Sequence, residues 1–407
     1  MKKYDGMRAE YFRLGNKEEA GKKAALLYQS ISSISLDLKI GEHPAFIVYC
    51  DELLWELCAI RSLNQEIWAL AGDLPTESLR QYIRQAVIEE IHQTNDMEDI
   101  HSTRKEISDE IRIVQSGKKS KRFDGMIRKY ELLLEKKHIP LSSCQDIRDL
   151  YDSFVLEEVK MNNPNEVPDG LFFRKSPVSV VRHSDTIHEG IFPENALNQS
   201  MEQALSFLNN ADYDPMIEIA AFHYLFGYIH PFYNGNGRMT RFISSYTLAN
   251  HHIHLLVALR LSYVIKSHRA QYYKMFKSTN DSRNYGDLTC FVIDFLDFVR
   301  EACAQIRDYM IDQKRLIDHF DQMIGQLEFD GQVKNLLFLL AQVSICDGDS
   351  LSIREIEKLT KISYYKQKLF FRQIEPYLIV SKEGNTLLYR ANLNKLDEIK
   401  PGEIHPE

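Results

Sequence analysis

Twelve residues near the middle of this 407-residue chain limit its fold more than any others. They read His230-Pro231-Phe232-Tyr233-Asn234-Gly235-Asn236-Gly237-Arg238-Met239-Thr240-Arg241. Pro231 disfavours the α conformation at His230, so a helix arriving from Met216 has to stop at about the histidine. That upstream segment carries Ile217, Ala220, Ala221, Tyr224, Leu225 and Tyr228 near 3.6-residue spacing. Asn-Gly then occurs twice in four residues, which marks a tight loop whose backbone can take positive φ. From Met239 to Leu248 the helical pattern resumes. The expected unit is helix, glycine loop, helix.

That geometry suits phosphate. Backbone N–H groups of a glycine loop opening a helix converge on one spot, and the helix dipole favours an anion there. Arg238 and Arg241 lie three apart on the first turn of the second helix, so they share a face. Two guanidiniums so placed can fork onto the oxygens of a polyphosphate. His230, on the other lip of the loop, has a side chain that can act as a base near neutral pH. The stretch holds no Ser or Cys nucleophile. Direct transfer is therefore expected rather than a covalent enzyme intermediate. An Asn-Gly pair alone usually means a hairpin turn, and a lone histidine at a helix end is usually structural. The combination, in this order and between two helices, is what carries chemistry.

The segment resembles the signature of the Fic family, His-Pro-Phe-x-Asp/Asn-Gly-Asn-Gly-Arg-x-x-Arg, with Asn234 at the fifth position. The resemblance implies a mainly α fold, with a Fic-type helical core, and transfer of AMP from ATP to a Ser, Thr or Tyr hydroxyl of a target protein or of the chain itself. It implies His230 as general base and Gly235, Asn236 and Gly237 as the hole for the α and β phosphates. Arg238 and Arg241 would hold the β and γ phosphates. Mg²⁺ would sit at the fifth position, where the amide oxygen of Asn234 is a poorer ligand for a hard dication than a carboxylate.

Beside that motif two other stretches gain meaning. Thr76 to Glu98 reads as a helix capped by Thr76, with Leu79, Tyr82, Ile83, Val87 and Ile91 on one stripe. Thr94 and Glu98 are four apart and face the same way. Alone they would be a solvated face. Next to the motif they resemble the family's inhibitory helix, Ser/Thr-x-x-x-Glu-Gly/Asn, departing from it at Asp99. The implied restraint is competition, with Glu98 occupying the Arg241 guanidinium that should bind the γ phosphate. In residues 171–190, Phe172, Phe173, Val178, Val180 and Val181 have strand-like composition. An ordinary surface hairpin is one reading. The family reading is a β-hairpin flap that clamps a target peptide by strand addition. Further on, Ser262 to Ser278 reads as a helix bearing Tyr272 and Tyr273, with Asn280 after it. An aromatic pair on a helix is ordinarily core. The resemblance assigns Tyr272, Tyr273 and Asn280 to the nucleotide's base and ribose.

The remainder sets bounds. A net charge of -8 argues against a chain built mainly to bind nucleic acid. Six scattered cysteines without a C-x-x-C pair suggest reduced thiols and a cytoplasmic setting. No apolar run approaches the ~20 residues that span a membrane, and the N-terminus, Met1 to Asp5, is read as lacking the apolar stretch of a signal peptide. Residues 1–125 are expected to be helical, with Lys17–Ser33 and Asp51–Ala71 periodic and the inhibitory helix at about 76–99. The core is expected at 126–325, with helices at Gly125–Lys137, Ser143–Val159, Pro193–Asn209 and Asp287–Ile324.

Residues 330–395 differ in plan. Helices are expected at Val333–Val343, Ser352–Thr360 and Tyr364–Ile374. Ser352 and Glu355 form a capping box, and Gly384-Asn385 is a two-residue hairpin. The order resembles a C-terminal winged helix. Residues 351–395 carry nine Lys/Arg against four Asp/Glu, with Lys366, Lys368 and Arg372 on the third helix. DNA contact through 351–395 and protein contact, including a homodimer, both stay open. Three functions remain in play: AMP transfer restrained by Glu98, a nucleotide-sensing DNA-binding regulator, and the same fold removing AMP or passing another phosphate-bearing group.

Overall fold

The computed structural model describes residues 3–182, 185–346 and 350–399, and at 180–182 and 185–187 it describes the backbone alone. The chain is mainly α. It opens with α1 (Gly6–Leu14), α2 (Lys17–Tyr28), β1 (Ser33–Ile40) and β2 (His43–Val48). There follow α3 (Asp51–Asp73), α4 (Thr76–Met97), α5 (Arg104–Gln115), α6 (Asp124–Leu134), α7 (Cys144–Phe154) and α8 (Leu156–Asn162). A hairpin, β3 (Ser179–Arg182) and β4 (Asp185–Glu189), precedes α9 (Glu194–Leu208), α10 (Pro215–Ile229) and α11 (Asn236–Asn250). Then come α12 (Leu255–Ala258), α13 (Leu261–Ser267), α14 (Arg269–Thr279) and α15 (Thr289–Gly325). The chain divides into two compact units, one of Met1–Asn64 with Val87–Ala304, the other of Gln65–Ala86 with Gln305–Glu407.

The first unit is built around α10 and α11. Pro215 sits in the first turn, where its missing N–H costs nothing, and the Asp214 carboxylate accepts the Met216 N–H at 3.0 Å. Nearly every residue of α10 is buried, from Met216 through Phe226. A helix apolar on all sides belongs in a core. The next helix, α11, is almost as deeply buried, and Phe242 on it meets Tyr130 of α6 edge-on at 5.2 Å and Phe154 of α7 at 4.7 Å. Two central helices in sequence fix the loop between them at the middle of the unit.

Four expectations need correction. Lys17–Ser33 is helical only to Tyr28, and residues 33–48 form an antiparallel hairpin instead of continuing in helices. The cause is visible in β1, where Ile34, Leu36, Leu38 and Ile40 alternate with polar residues and are buried every second position. Ser143–Val159 is two helices, α7 and α8, parted at Val155. Ser262–Ser278 is also two, parted at His268. Of the expected flap only 179–182 and 185–189 pair as strands, while 171–178 is irregular. Residues 183–184, within the expected flap, lie outside the described residues.

The second unit carries α16 (Gly331–Ile345), β5 (Leu351–Ser352), α17 (Ile353–Thr360), α18 (Tyr364–Gln373), β6 (Leu378–Glu383), β7 (Thr386–Ala391) and α19 (Leu393–Asp397). Its three strands are ordered β5-β7-β6. The Ser352–Glu355 capping box is present, and Gly384, at φ +59°, turns the β6–β7 hairpin where Glu383 pairs with Thr386. Phe371 of α18 stacks on Tyr389 of β7 at 4.3 Å, while Tyr365 of α18 is 84% exposed. No helix among the described residues is long and apolar enough to cross a membrane.

The β1–β2 hairpin joins the first unit through backbone, with the Phe46 N–H donating to the Gly286 carbonyl at 3.1 Å and the Leu288 N–H donating to the Phe46 carbonyl at 2.8 Å. Gly286 lies at φ +80°, and a Cβ there would sit 2.3 Å from the Pro44 carbonyl oxygen. Gly286→Ala should therefore cost about 2 kcal/mol or more of stability. Urea unfolding of the variant and the parent measures it, and coincident midpoints would refute the close approach.

Candidate active site

The loop between α10 and α11 is shaped by side chains on both of its shoulders. His230 ends α10 in the left-handed region, at φ 52° and ψ 63°. Asn236 opens α11, and its amide grips Phe232: Oδ1 accepts the Phe232 N–H at 3.0 Å and Nδ2 donates to the Phe232 carbonyl at 2.7 Å. The Phe232 ring is fully buried and stacks on Tyr151 at 3.7 Å. Asn236 therefore braces the loop with its side chain and has only its backbone N–H to offer an anion. Gly235, at φ 84°, precedes the helix and supplies no side-chain cap for the first N–H groups of α11. Those groups, with the positive end of the helix dipole, form an anion-seeking corner.

The two arginines expected side by side are held by different helices. Arg241 is buried. Its Nε donates to Thr94 Oγ1 at 2.8 Å, and one Nη donates to both the Thr94 carbonyl at 2.9 Å and Glu98 Oε1 at 2.8 Å. All three acceptors come from the C-terminal turns of α4 and the residue after it. Arg238, equally buried, donates to Glu158 Oε2 of α8 at 2.7 Å, and its Nε has no partner among the described residues. Glu98 rests directly on the loop, because a Cβ built at Gly237 would lie 2.0 Å from Glu98 Oε1. Burial alone would raise the Glu98 carboxyl, but the charge and hydrogen bond of Arg241 outweigh it and hold the group below the ordinary carboxylate range.

His230 faces a cavity of about 680 Å³ whose wall also includes Glu98, Gly237, Arg241, Tyr273 and Asn280. Asn234, Gly235 and Arg238 lie outside that wall. Burial, and then the Arg174 guanidinium, push the His230 imidazole down to about 4. At neutral pH it is uncharged and able to accept a proton. Tyr272 is a buried part of the wall, and its hydroxyl meets Nε2 of His223 at 2.8 Å. The other ring nitrogen of His223 meets Ser244 Oγ at 2.8 Å, so α10, α11 and α14 are joined by one imidazole. Burial and Arg241 push that imidazole down to about 3. Asn280 accepts the Tyr224 hydroxyl at 2.6 Å, while its Nδ2 is buried with no partner among the described residues. The Asn234 Nδ2 donates to Glu166 Oε2 at 2.6 Å. Val178, Ser179 and His188 bring the β3–β4 hairpin and its approach to the cavity rim.

Several of these residues escape sequence reasoning. Glu158, Glu166, Arg174 and His223 belong to no spacing pattern. Glu90 could have been found, since it lies four residues before Thr94 and so shares its face. It is buried, accepts the Ser262 hydroxyl at 2.6 Å and the Tyr130 hydroxyl at 3.2 Å, and burial pushes its carboxyl up to about 7.

The model of the Fic/DOC family matches residues 141–248, which include α10, the loop and all but the end of α11. Among solved structures, a Fic family protein from Desulfovibrio desulfuricans G20 is 20% identical at a TM-score of 0.48, covering 82% of this chain and 96% of that one. Fic-1 from C. elegans, residues 134–508, is 17% identical at a TM-score of 0.42, covering 75% of this chain and 84% of that one. Residues 141–248 of the chain are thus similar to the Fic/DOC family.

Proposed function

We propose that this protein transfers AMP from ATP to a Ser, Thr or Tyr hydroxyl of a protein, itself included, and that Glu98 restrains the reaction. The observation that carries the reading is the meeting, on one cavity wall, of an uncharged His230 imidazole, the open end of α11 and the buried Arg241 guanidinium. In the reaction the acceptor oxygen attacks the α phosphorus as its proton passes to the His230 imidazole. The bond from that phosphorus to the bridging oxygen of the β phosphate breaks, and pyrophosphate leaves. A positioned base of this kind is worth typically ~10²–10⁴-fold. The α11 N–H groups stabilise charge gathering on the phosphate oxygens, each such donor contributing about 3 kcal/mol. Unpartnered Asn280 Nδ2 in the wall suits a polar group of the nucleoside.

A dication at the loop would find oxygen donors in the Asn234 amide and the Glu166 carboxylate next to it, which supplies the negative charge position 234 lacks. Mg²⁺ bound there would neutralise phosphate charge. The restraint follows from the Arg241 contacts. A γ phosphate arriving at that guanidinium meets the Glu98 carboxylate already on it, and two like charges ~4 Å apart repel by about 4 kcal/mol at an effective dielectric of 20. The nucleotide can then bind only out of line. Removal of AMP is the second reading, favoured by the place of Glu98 on Gly237 in the wall that holds His230, where a carboxylate can orient a water.

Three measurements test this. Tripolyphosphate should bind E98G at least tenfold more tightly than the parent by calorimetry. Equal affinities would mean that Glu98 does not compete for the anion corner. With ATP labelled at the α phosphorus, E98G should incorporate at least tenfold more label than the parent, and H230A in the E98G background should incorporate none while still binding tripolyphosphate. Full labelling of the H230A variant would remove the imidazole from the mechanism. Intact mass gives the product: a gain of AMP supports transfer, a loss of AMP from a modified target supports removal.

A further inference from the structure

Arg174 belongs to none of the motifs, yet its side chain is fully buried. Among the described residues its guanidinium has no carboxylate partner. It donates to backbone carbonyls instead: Nε to His230 at 2.8 Å, Nη1 to Ser176 at 2.7 Å, and Nη2 to Ile191 at 2.9 Å and Ile229 at 3.4 Å. The Arg174 N–H adds a bond to the Pro231 carbonyl at 3.2 Å. The acceptors fall in two groups. Ser176 and Ile191 flank the two strands of the hairpin, 179–182 and 185–189. Ile229, His230 and Pro231 are the turn that aims the imidazole. One planar fork therefore ties both roots of the hairpin to the backbone on either side of His230.

The turn needs such a tie. A left-handed conformation is unfavourable for a histidine, and it persists only when its surroundings hold it. Each carbonyl that accepts from the Arg174 fork is fixed in direction, and an arginine can do this where a lysine, a point charge, cannot. The fit is close as well: a Cβ at Gly190 would lie 2.4 Å from Arg174 Nη2. We propose that Arg174 is a positioning residue, which locks the His230 turn and makes hairpin and base one body. A target strand seated on the hairpin is thereby referred directly to the base. The charged and titratable groups that act on His230 come from three elements: Arg174 from the loop before β3, His188 from β4, and Glu98 after α4. Arg241, Arg269, Asp99, Tyr233, Tyr272 and Tyr273 share the cavity wall. Of the three groups that act on the imidazole, Glu98 favours its protonation.

The inference deepens the reading of His230 as a base, and one arm of its test stands without that reading. The imidazole of His230 is followed by NMR titration, with H230A identifying its signal. In the parent it should titrate near 4, and in R174K, which keeps the charge, it should stay there. In R174Q, which does not, it should rise by about a unit or more, so that protonation sets in at higher pH. The second arm measures labelled AMP transfer in the E98G background. R174K should lose at least tenfold in kcat with KM for ATP unchanged, because one ammonium cannot direct four carbonyls. Should R174Q fail to fold, as judged by circular dichroism, R174K decides alone. A His230 titration unmoved in folded R174Q, or a parental kcat in R174K, overturns the proposal. If no variant transfers AMP at all, the titration still decides the role of Arg174, and the loss falls on the functional reading.

Discussion

A guanidinium taken out of water must find acceptors, and Arg241 finds three on one segment. Thr94 contributes a hydroxyl and a carbonyl, and Glu98 a carboxylate. The cost of burying an unpaired cation is several kcal/mol, so whatever covers Arg241 is strongly held until another anion replaces it. That makes α4 more than a neighbour of the motif helix. The surrounding polar groups are arranged around the same charge. His223 is kept neutral in part because Arg241 is near, and the buried Glu90 carboxylate is drawn toward its charged form by it. A phosphate entering this site would exchange one anion for another and would leave the rest of the network intact.

How much of this was legible in the sequence depended on whether the partners are close along the chain. His230, Gly235, Gly237 and Arg241 sit within twelve residues, so their order alone carried the helix–loop–helix and the anion corner. Thr94 and Glu98 share a helical face, and a distance of four residues was enough to pair them. Asn236 was harder. Its backbone opens α11, but its side chain is committed to Phe232, and no sequence pattern tells an amide bracing its own loop from one facing a ligand. Arg238 went to Glu158, 80 residues earlier, a choice set by where α8 ends up. The β1–β2 hairpin is a different failure. Ile34, Leu36, Leu38 and Ile40 alternate cleanly, but the helical period of the preceding segment runs up to them, and Leu and Lys suit either state.

Buried positive charge without a carboxylate is the feature that pattern reading is least equipped to find. Among the described residues Arg174 meets only main-chain oxygens, and every residue has one, so nothing about the types of its partners distinguishes them. The consequence is chemical as well as structural. A carboxylate beside Arg174 would have cancelled its field at His230, whereas carbonyl dipoles satisfy its hydrogen bonds and leave the net charge in place.

The departure at Asp99 shows how a residue pattern can be kept in physical terms while broken in letters. The pattern it resembles asks for Gly or Asn after the glutamate, and here an aspartate stands there. In the structure Asp99 lies at φ 56°, in the left-handed region, where α4 turns back on itself and the Ile100 N–H closes onto the Asn95 carbonyl at 3.0 Å. Gly and Asn are the residues that take this conformation most easily, and Asp is the next. The requirement at 99 is therefore a backbone angle. It ends the helix just past Glu98, so that the carboxylate stands at the terminal turn with the reach to cover Gly237. Arg269 from α14 donates to the Met97 carbonyl at 3.2 Å, closing one of the free acceptors at that helix end and binding the turn to the opposite wall of the cavity. The helix is stopped by a left-handed turn, held by an arginine on each side, and by this the Glu98 carboxylate comes to rest on the anion corner.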